Sequence, residues 1–354
     1  EMKLQKQNIN FSGIGGPECK KENVELLFEV KDVSYFGFSS VVRNLRKIKS
    51  ILEACKDHIK RTSPSAVILV DYPGFNLKLV TIIRKFYHGK IIYFISPQLW
   101  AWHKNRIKII KKYIDLMIVV FPFEVDFYEK ENIRAEFAGH PLVKRMENFL
   151  SENQKVNSNK IQISISPGSR KDEVGRMLPI LAEAGTKFKN EFECEINILC
   201  SPNFDKSYYQ NFIEGKDFNL IYDTDNSNLN YKTILNSELV ITKSGTSTIE
   251  CALIGTPFCV VYKTGNINYF IAKSLVKLKY IAMVNILLNK PAVKEFIQNE
   301  MTVTNIFNEG KKILLDKQYR IQMENCFKEL KIILTSKDAS LNAARVITNL
   351  LYKN

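Results

Sequence analysis

The chain alternates short apolar runs with amphipathic segments along most of its length. The clearest amphipathic segment spans 41–61, where apolar residues recur at helical spacing: Leu45, Ile48, Leu52, Cys55 and Ile59. The apolar runs have the length of strands, and most end abruptly at Asp, Pro, Gly or Ser. We predict strands at 66–70, 90–95, 115–121, 134–138, 161–165, 195–199, 218–221, 238–241 and 258–262. Near-continuous hydrophobic strands that alternate with helices are typical of parallel sheets covered on both faces, so the pattern predicts an α/β fold.

A polar stretch of low hydrophobicity, SENQKVNSNK at 151–160, divides the chain and is typical of a linker. A chain of 354 residues fits two ordinary domains, each able to bury a substantial core. We therefore predict an N-terminal domain at 1–155 and a C-terminal domain at 156–335. The last segment, 336–354, has a helical pattern and is expected to pack back on the first domain or on a partner subunit. Ligands of such folds lie beyond the carboxyl ends of the strands, so chemistry is expected in the loops that follow strands.

The composition is typical of a globular protein, with 45% hydrophobic and 25% charged residues. No apolar run approaches the ~20 residues that a membrane-spanning helix needs. The seven cysteines have no CxxC spacing and do not cluster with the four histidines. Neither a disulfide framework nor a zinc site is indicated, and a reducing compartment is expected.

The formal net charge of +14 favours an anionic partner, which could be nucleic acid, a phospholipid surface or a phosphorylated substrate. A general bias toward lysine explains the same excess without any partner. Charge alone does not decide between these alternatives, so the individual loops have to carry the functional argument.

The first loop of interest is VDYPGFN at 70–76. Asp71 follows the apolar run AVILV and precedes a Tyr-Pro-Gly turn, which cannot continue the strand. A carboxylate held at the end of a strand is a candidate general base. An Asp in this position can also merely bond the backbone of the turn, and the motif by itself favours that reading.

Two further loops join a strand to a helix. ISPGSRKDE at 165–173 places Ser169 and Arg170 at a helix N-terminus, where backbone N–H groups and the helix dipole favour an anion. ITKSGTSTIECALIGTP at 241–257 repeats this arrangement, with Glu250 inside the helix where it could receive the two hydroxyls of a ribose. Neither loop matches GxxxxGK[ST] or GxGxxG, which counts against an ATPase, a kinase or an NAD enzyme. The alternative for the first loop is simple helix capping.

Asp223 and Asp225 have the DxD spacing by which some sugar transferases hold a divalent metal. They lie in YDTDNSN, a run of turn and cap formers with no further carboxylate or histidine near in sequence. We therefore expect no metal site.

Taken together, the motifs make the chain similar to the lipid-A-disaccharide synthase family, which consists of glycosyltransferases of the GT-B fold. The resemblance covers nearly the whole chain and rests on FSGIGGP (11–17), DYPGFN (71–76), SPQLWAWHKNR (96–106), FPFE (121–124), FAGHP (137–141), PGSRKDEV (167–174), SGTSTIE (244–250) and VNILLNKPAVKEFIQ (284–298). Members of the family open with a strand and an AGExSGD-type loop, and this chain begins after both.

The resemblance implies two Rossmann-like domains that face each other across a cleft. It also implies an essential carboxylate at Asp71 and sugar-nucleotide contacts from the loops around Arg170 and Glu250. The residues expected to bind the nucleotide sugar are Ser169, Arg170, Ser244, Gly245, Thr246, Glu250, Asn285, Glu295 and Gln298. The implied donor is UDP-2,3-diacylglucosamine, the acceptor is 2,3-diacylglucosamine 1-phosphate (lipid X), and UDP leaves. No cofactor is expected, since the UDP-sugar is a substrate.

Both tryptophans of the chain, Trp100 and Trp102, lie in SPQLWAWHKNR, and the basic stretch HKNRIKIIKKYI continues from them. Aromatic rings and lysines of this kind settle at an anionic water–lipid boundary. We therefore expect a cytoplasmic protein that is peripheral on the inner face of the bacterial inner membrane, and a homodimer is an open expectation. The alternative is that Ile107, Ile110 and Ile114 face the core and the lysines face water. His103 and His140 are expected to be structural.

Two alternative functions remain at this stage. Another UDP-sugar enzyme of the same fold, such as a muramyl-pathway transferase or an epimerase, would share the nucleotide loops but not SPQLWAW. A nucleic-acid-binding protein would also be basic, but its aromatic residues should be spread over a groove rather than gathered in one loop. We therefore expect no nucleic acid partner.

Overall fold

The computed structural model of the chain describes residues 1–5, 9–33, 45–100, 104–223, 228–265, 269, 278–335 and 338–352. Its strands are β1 Ser12–Gly15, β2 Glu25–Glu29, β3 Ala66–Val70, β4 Lys90–Phe94, β5 Leu116–Val119, β6 Ala135–Phe137, β7 Ile161–Ser166, β8 Cys194–Cys200, β9 Asn219–Tyr222, β10 Leu239–Lys243, β11 Phe258–Tyr262 and β12 Glu295–Ile297. All strand pairs among them are parallel, as expected for an α/β fold.

Helices connect and cover these strands. Within the described residues they span Met2–Gln5, Pro17–Lys21, Val30–Val33, Leu45–Thr62, Pro73–Ile83, Ile107–Tyr113, Phe123–Glu129, Pro141–Glu152, Lys171–Glu191, Lys206–Ile213, Leu229–Asn236, Thr246–Ile254, Met283–Leu288, Val303–Leu315, Lys317–Thr335 and Ala339–Tyr352. Short 3₁₀ turns are at Lys104–Arg106 and Gln298–Glu300. The helix expected at 41–61 is described from Leu45 onward.

The chain divides into two compact units, one formed by Glu1–Gly139 with Lys337–Asn354 and the other by His140–Ser336. The division lies upstream of the boundary expected between 155 and 156. The reason is the helix Pro141–Glu152, whose buried Met146 and Phe149 belong to the second unit. The ring of Phe149 meets that of Tyr231 edge-on, with 5.6 Å between the centroids. The polar stretch at 151–160 therefore begins within the last turn of this helix, downstream of the division between the two units.

The first unit contains a four-stranded sheet in the order β3-β4-β5-β6 and a separate pair, β1-β2. Successive side chains of a strand point to opposite faces, and both faces of β4 are covered. Ile91 and Tyr93 join a core that includes the helix Leu45–Thr62, whereas Ile92 joins a second core. This second core is completed by Ala343 and Ile347 of the C-terminal helix. The last helix of the chain therefore packs on the first unit.

The described residues of the second unit form a six-stranded sheet in the order β12-β11-β10-β7-β8-β9. The chain begins in the middle of this sheet with β7, runs outward through β8 and β9, and returns to the other side of β7 with β10. The helix Lys171–Glu191 buries Met177, Leu181 and Phe188 completely. The order of the strands thus reverses between β7 and β10, which makes their carboxyl ends the expected ligand site of a doubly wound sheet.

Among the described residues, no helix is both long enough and apolar enough to cross a membrane.

Candidate active site

The two loops that were expected to hold an anion leave the second unit's sheet side by side. Thr242 of β10 is the register partner of Ser166 of β7, and each strand ends within one residue of that pair. The loop 167–170 follows β7 and the loop 244–245 follows β10. The structure therefore brings Ser169 and Arg170 to the same edge of the sheet as Ser244, Gly245 and Thr246, at the point where the strand order reverses.

The loop after β7 is closed by the carboxylate of Glu173, which is buried with 8% of its surface exposed. Its Oε2 accepts hydrogen bonds from the backbone N–H of Ser169 at 3.1 Å and of Arg170 at 3.3 Å, which is a capping arrangement. Gly168 has φ +118°, and a Cβ there would lie 2.6 Å from Glu173 Oε2. The free amides expected at this helix start are thus partly occupied by the protein's own carboxylate. The exposed side chains of Ser169 and Arg170 remain for a ligand.

The loop after β10 begins the helix Thr246–Ile254. Gly245 has φ +143°, a backbone region that favours glycine, and its carbonyl accepts from both the N–H and the Oγ of Thr248 at 3.1 and 2.8 Å. The hydroxyl of Ser244 donates to the carbonyl of Ile281 at 2.7 Å. Thr246 is exposed at the first position of the helix. Ser244 therefore ties the loop to its neighbour, and Thr246 is the hydroxyl of this loop that faces solvent.

Glu250 lies in the second turn of the same helix, where Tyr231 donates its hydroxyl proton to Glu250 Oε1 at 2.8 Å. Arg145 lies over the ring of Tyr231, with its guanidinium carbon 5.1 Å from the ring centre. Burial raises the pKa of Glu250, and the bond from Tyr231 and the charge of Arg145 oppose that shift. Tyr231 and Arg145 were not expected from the sequence, since they are distant in the chain and carry no motif.

Asn285, Glu295 and Gln298 form hydrogen bonds inside the protein. Asn285 is fully buried and exchanges bonds with the backbone of Val293, at 2.9 Å in both directions. Glu295 accepts from the N–H of Ala282 at 2.9 Å and from Asn285 Nδ2 at 2.8 Å. Gln298, at φ +53°, binds both backbone groups of Thr264. These bonds hold the segments around β12, while a contact of the three side chains with substrate stays a prediction.

Asp71 belongs to the first unit and directly follows β3. Asp71 and Tyr72 both have left-handed backbones, with φ +44° and +42°, a strained state for residues other than glycine. The Asp71 carbonyl accepts from Tyr93 Oη at 2.6 Å and from Asn76 Nδ2 at 2.7 Å. The Asp71 side chain is exposed, yet the protein atoms around its carboxyl raise its pKa above the ordinary value for Asp. A strained turn that presents a carboxylate of raised pKa is suited to a general base.

The loops after β4 and β5 meet at Glu124, a buried carboxylate of the first unit. The sequence had not marked this residue as functional. Its Oε1 accepts from Ser96 Oγ at 2.5 Å and from Trp100 Nε1 at 3.1 Å, and its Oε2 accepts from the N–H of Phe121 at 3.2 Å. Burial raises the pKa of Glu124 to about 7. Trp100 is thus fixed by a hydrogen bond to Glu124. Trp102 and His103 lie outside the described residues.

The remaining candidates have local structural contacts. Asp223 accepts from the N–H of Asn230 at 3.3 Å, and Asp225 lies outside the described residues. Within the described part of the chain, no three His, Cys, Asp or Glu side chains gather as a metal-binding group. His140 is buried, its Nδ1 accepts from the N–H of Leu142 at 3.2 Å, and burial lowers its pKa to about 4. His140 therefore caps the helix Pro141–Glu152.

Several solved structures have a similar fold. The UDP-GlcNAc 2-epimerase from Neisseria meningitidis aligns with a TM-score of 0.62 and 12% identity, covering 98% of this chain and 100% of that one. MurG from Acinetobacter baumannii aligns with a TM-score of 0.51 and 14% identity over 99% and 93% of the two chains. The calicheamicin glycosyltransferase CalG4 aligns with a TM-score of 0.61 and 13% identity over 99% and 93%. These matches show that the chain has an α/β fold similar to that of GT-B glycosyltransferases and UDP-GlcNAc 2-epimerases.

Sequence relatives define the family. The family model described as "Lipid-A-disaccharide synthetase" matches residues 1–349. A lipid-A-disaccharide synthase from Coxiella burnetii is 30% identical over 99% of this chain and 93% of its own length. The corresponding protein from Nitrosococcus oceani is 32% identical over 94% and 86%. The chain belongs to the lipid-A-disaccharide synthase family, and the resemblance seen in its motifs is confirmed. The similarity to epimerases and to MurG concerns the fold alone.

Proposed function

We propose that this enzyme transfers diacylglucosamine from UDP-2,3-diacylglucosamine to the 6-hydroxyl of lipid X, with Asp71 as the base and the second unit as the nucleotide site. The observation that carries the nucleotide site is the pairing of Thr242 with Ser166, which sets two strand-to-helix loops side by side at the reversal of the strand order. The donor and acceptor sugars of this proposal are inferred from the family, and the groups that bind the donor are inferred from the two loops.

In the proposed reaction, the carboxylate of Asp71 accepts the proton of the acceptor hydroxyl as its oxygen attacks the anomeric carbon of the donor. The bond from the anomeric carbon to the β-phosphate oxygen breaks, UDP departs, and the configuration at that carbon inverts. General base catalysis contributes roughly 10²- to 10⁴-fold, or about 3 to 5 kcal/mol of the barrier. The raised pKa of Asp71 increases its affinity for the proton that it receives.

The departing UDP gains negative charge on its β-phosphate. In the proposal, the exposed guanidinium of Arg170 and the N-terminus of the helix Thr246–Ile254 stabilise this charge as it develops. Glu250 receives the ribose hydroxyls, because its carboxylate is already oriented by the bond from Tyr231. Ser169, Ser244, Gly245 and Thr246 complete the loops around the diphosphate. Asn285, Glu295 and Gln298 hold the segments beside the site, and their contact with the nucleotide sugar stays a prediction.

The experiment that tests this proposal compares kcat and UDP affinity of Asp71→Asn and Arg170→Ala with those of the unaltered enzyme. We expect Asp71→Asn to lower kcat by about 10²- to 10⁴-fold with little change in UDP affinity. Arg170→Ala should weaken UDP binding and lower kcat together. Asp57→Asn is the matched control, because it removes an exposed carboxylate of the same unit whose partner is Lys56 at 3.5 Å. Full activity of Asp71→Asn would remove Asp71 from the role of base.

We further propose peripheral binding to the anionic inner face of the bacterial inner membrane, from the cytoplasmic side. In the helix Ile107–Tyr113, Ile110 is fully buried and Ile107 packs against the core, so the apolar side of this helix is not available to lipid. The exposed lysines of this helix are Lys108, Lys111 and Lys112. Attraction to the membrane is therefore electrostatic in the proposal, at about 1 kcal/mol for each lysine near an anionic surface.

Flotation with anionic liposomes tests this part. The triple variant Lys108→Glu, Lys111→Glu, Lys112→Glu should lose most binding at low salt, and the unaltered enzyme should lose it as salt rises. Equal flotation of both proteins would exclude this helix as the contact. A homodimer stays a prediction, which sedimentation at several concentrations tests directly.

A further inference from the structure

Lys243 is the last residue of β10 and directly precedes the loop of Ser244 and Gly245. Its Nζ lies 3.4 Å from Oε1 of Glu173, and 22% of its side chain is exposed. The end of the Lys243 side chain passes over the turn, since a Cβ built on Gly245 would lie 3.6 Å from Nζ and 3.7 Å from Cε. The ammonium group therefore sits between the two loops at the reversal of the strand order.

The charges around Glu173 are unbalanced in favour of cations. Its carboxylate faces Lys243 at 3.4 Å and Arg170 Nη1 at 3.8 Å, and it also accepts from two backbone N–H groups. A third cation, Arg176, lies near the loop that follows β11. A Cβ built on Gly265 in that loop would lie 3.6 Å from Arg176 Nη2. A single buried carboxylate thus faces two cations at distances longer than the 2.7–2.9 Å that is usual for a strong ionic hydrogen bond. An incoming anion can compete for either cation.

We infer that Lys243 is a diphosphate-binding residue that rests on Glu173 in the free enzyme and turns to the nucleotide when UDP or the UDP-sugar binds. This inference rests on the proposed nucleotide site and adds a residue to it. A lysine suits the role because its ammonium is a compact charge on a flexible stem, which can change partner without moving the backbone. Glu173 keeps the loop closed through its two backbone bonds while its partner lysine leaves.

Calorimetric binding of UDP and of uridine separates this role from a purely structural one. Lys243→Met should weaken UDP binding by roughly 10- to 100-fold, which is the range for loss of one charge-assisted contact. Uridine lacks phosphate, so its affinity should change by less than about 2-fold if only a phosphate contact is lost. Lys243→Arg should retain most of the UDP affinity. Lys294→Met is the matched control. Lys294 precedes β12 and so lies at the amino ends of the strands, whereas Lys243 lies at their carboxyl ends, and this variant should leave both affinities unchanged.

A second substitution tests the role of Glu173 as the partner of Lys243 in the free enzyme. Glu173→Gln keeps an oxygen for the backbone amides but removes the charge that competes with phosphate, so UDP should bind several-fold more tightly. This gain should shrink when Lys243→Met is also present. The inference would be overturned if Lys243→Met weakened the binding of UDP and of uridine equally, or if it left UDP affinity unchanged. Failure of the unaltered enzyme to bind UDP would instead overturn the proposed nucleotide site, and the inference with it.

Discussion

Asn76 donates a hydrogen bond from Nδ2 to the carbonyl oxygen of Asp71 at 2.7 Å, and thereby fixes the backbone of the residue proposed as the base. The hydroxyl of Tyr93 reaches the same carbonyl from the neighbouring strand at 2.6 Å. Two successive left-handed residues cost on the order of 1–3 kcal/mol each, so the surrounding bonds have to hold them. The DYPGFN motif thus contains both the carboxylate and one of the groups that orient it.

Tyr93→Phe tests the support of this turn. Tyr93 is fully buried, so loss of its hydroxyl should cost about 1 kcal/mol of unfolding free energy and lower kcat by about tenfold or less, with UDP affinity unchanged. Urea unfolding and steady-state kinetics measure the two effects. Tyr87→Phe is the control, because Tyr87 is also buried and donates to Pro64 at 2.9 Å, before β3 rather than after it. It should cost similar stability and leave kcat unchanged, and an equal loss of kcat in both variants would contradict the prediction.

The buried carboxyl of Glu124 predicts a pH dependence of stability. Burial raises its pKa from 4.5 to about 7, so the folded protein binds a proton that the unfolded chain has lost between these values. Stability from this group is therefore present below about pH 4.5 and is lost as the pH rises toward 7, by about 3 kcal/mol in total.

Urea unfolding at several pH values between 5 and 8 measures this slope, and Glu124→Gln should flatten it. Trp100 gives an independent signal, because its indole donates to Glu124 Oε1. In a Trp102→Phe background, the fluorescence of Trp100 should change with a midpoint near the pKa of about 7. Identical pH profiles with and without Glu124 would assign the slope to other groups.

Glu250→Ala tests ribose recognition. The carboxylate oriented by Tyr231 is proposed to receive the ribose hydroxyls, so the unaltered enzyme should prefer UDP to 2′-deoxy-UDP by about tenfold. In Glu250→Ala this preference should vanish, and in Tyr231→Phe it should shrink. Competition binding with both nucleotides provides the measurement. A preference that survives Glu250→Ala would place ribose recognition elsewhere.

Ile347→Ala tests the packing of the C-terminal helix on the first unit. Ile347 is 4% exposed in the core with Ile92, Leu116 and Ile118, and its truncation should cost about 2–5 kcal/mol. Ile332→Ala is the matched control, since Ile332 is 74% exposed and should change stability by less than about 0.5 kcal/mol. Thermal unfolding compares the two. Equal effects would mean that the helix contributes little to the unit.

The elements with a strong period were readily predicted from the sequence. β3 and β11 match their predicted ranges, and the helix after PGSR runs from Lys171 as the apolar spacing indicated. β1, β2 and β12 were missed because they are short and contain glycine or glutamate, which obscures the strand pattern. The domain boundary was misplaced because the tertiary contact of Phe149 with Tyr231 outweighs the local polarity of 151–160.

The candidate loops were also predicted, since each follows a strand and carries its own motif. Their internal bonds were not, because contacts such as Lys243 with Glu173 and Tyr231 with Glu250 join residues far apart in the chain. Glu173 did leave a local signal, as the acidic residue three positions after Arg170, which directly precedes the helix. Propensity and spacing show where a loop lies, whereas the partner of each side chain depends on the packing of the whole unit.

Because Ala343 and Ile347 cover one face of β4 and β5, the ribosome finishes the second unit before it releases the helix that closes the first. During synthesis, Ile92 and Leu116 remain without this helix while roughly two hundred further residues are made, at about 5–20 residues per second. For about ten seconds or more, the nascent protein thus exposes an apolar sheet face that can aggregate with other chains. A chaperone that shields this surface is expected to raise the yield of the enzyme more than its final stability would suggest.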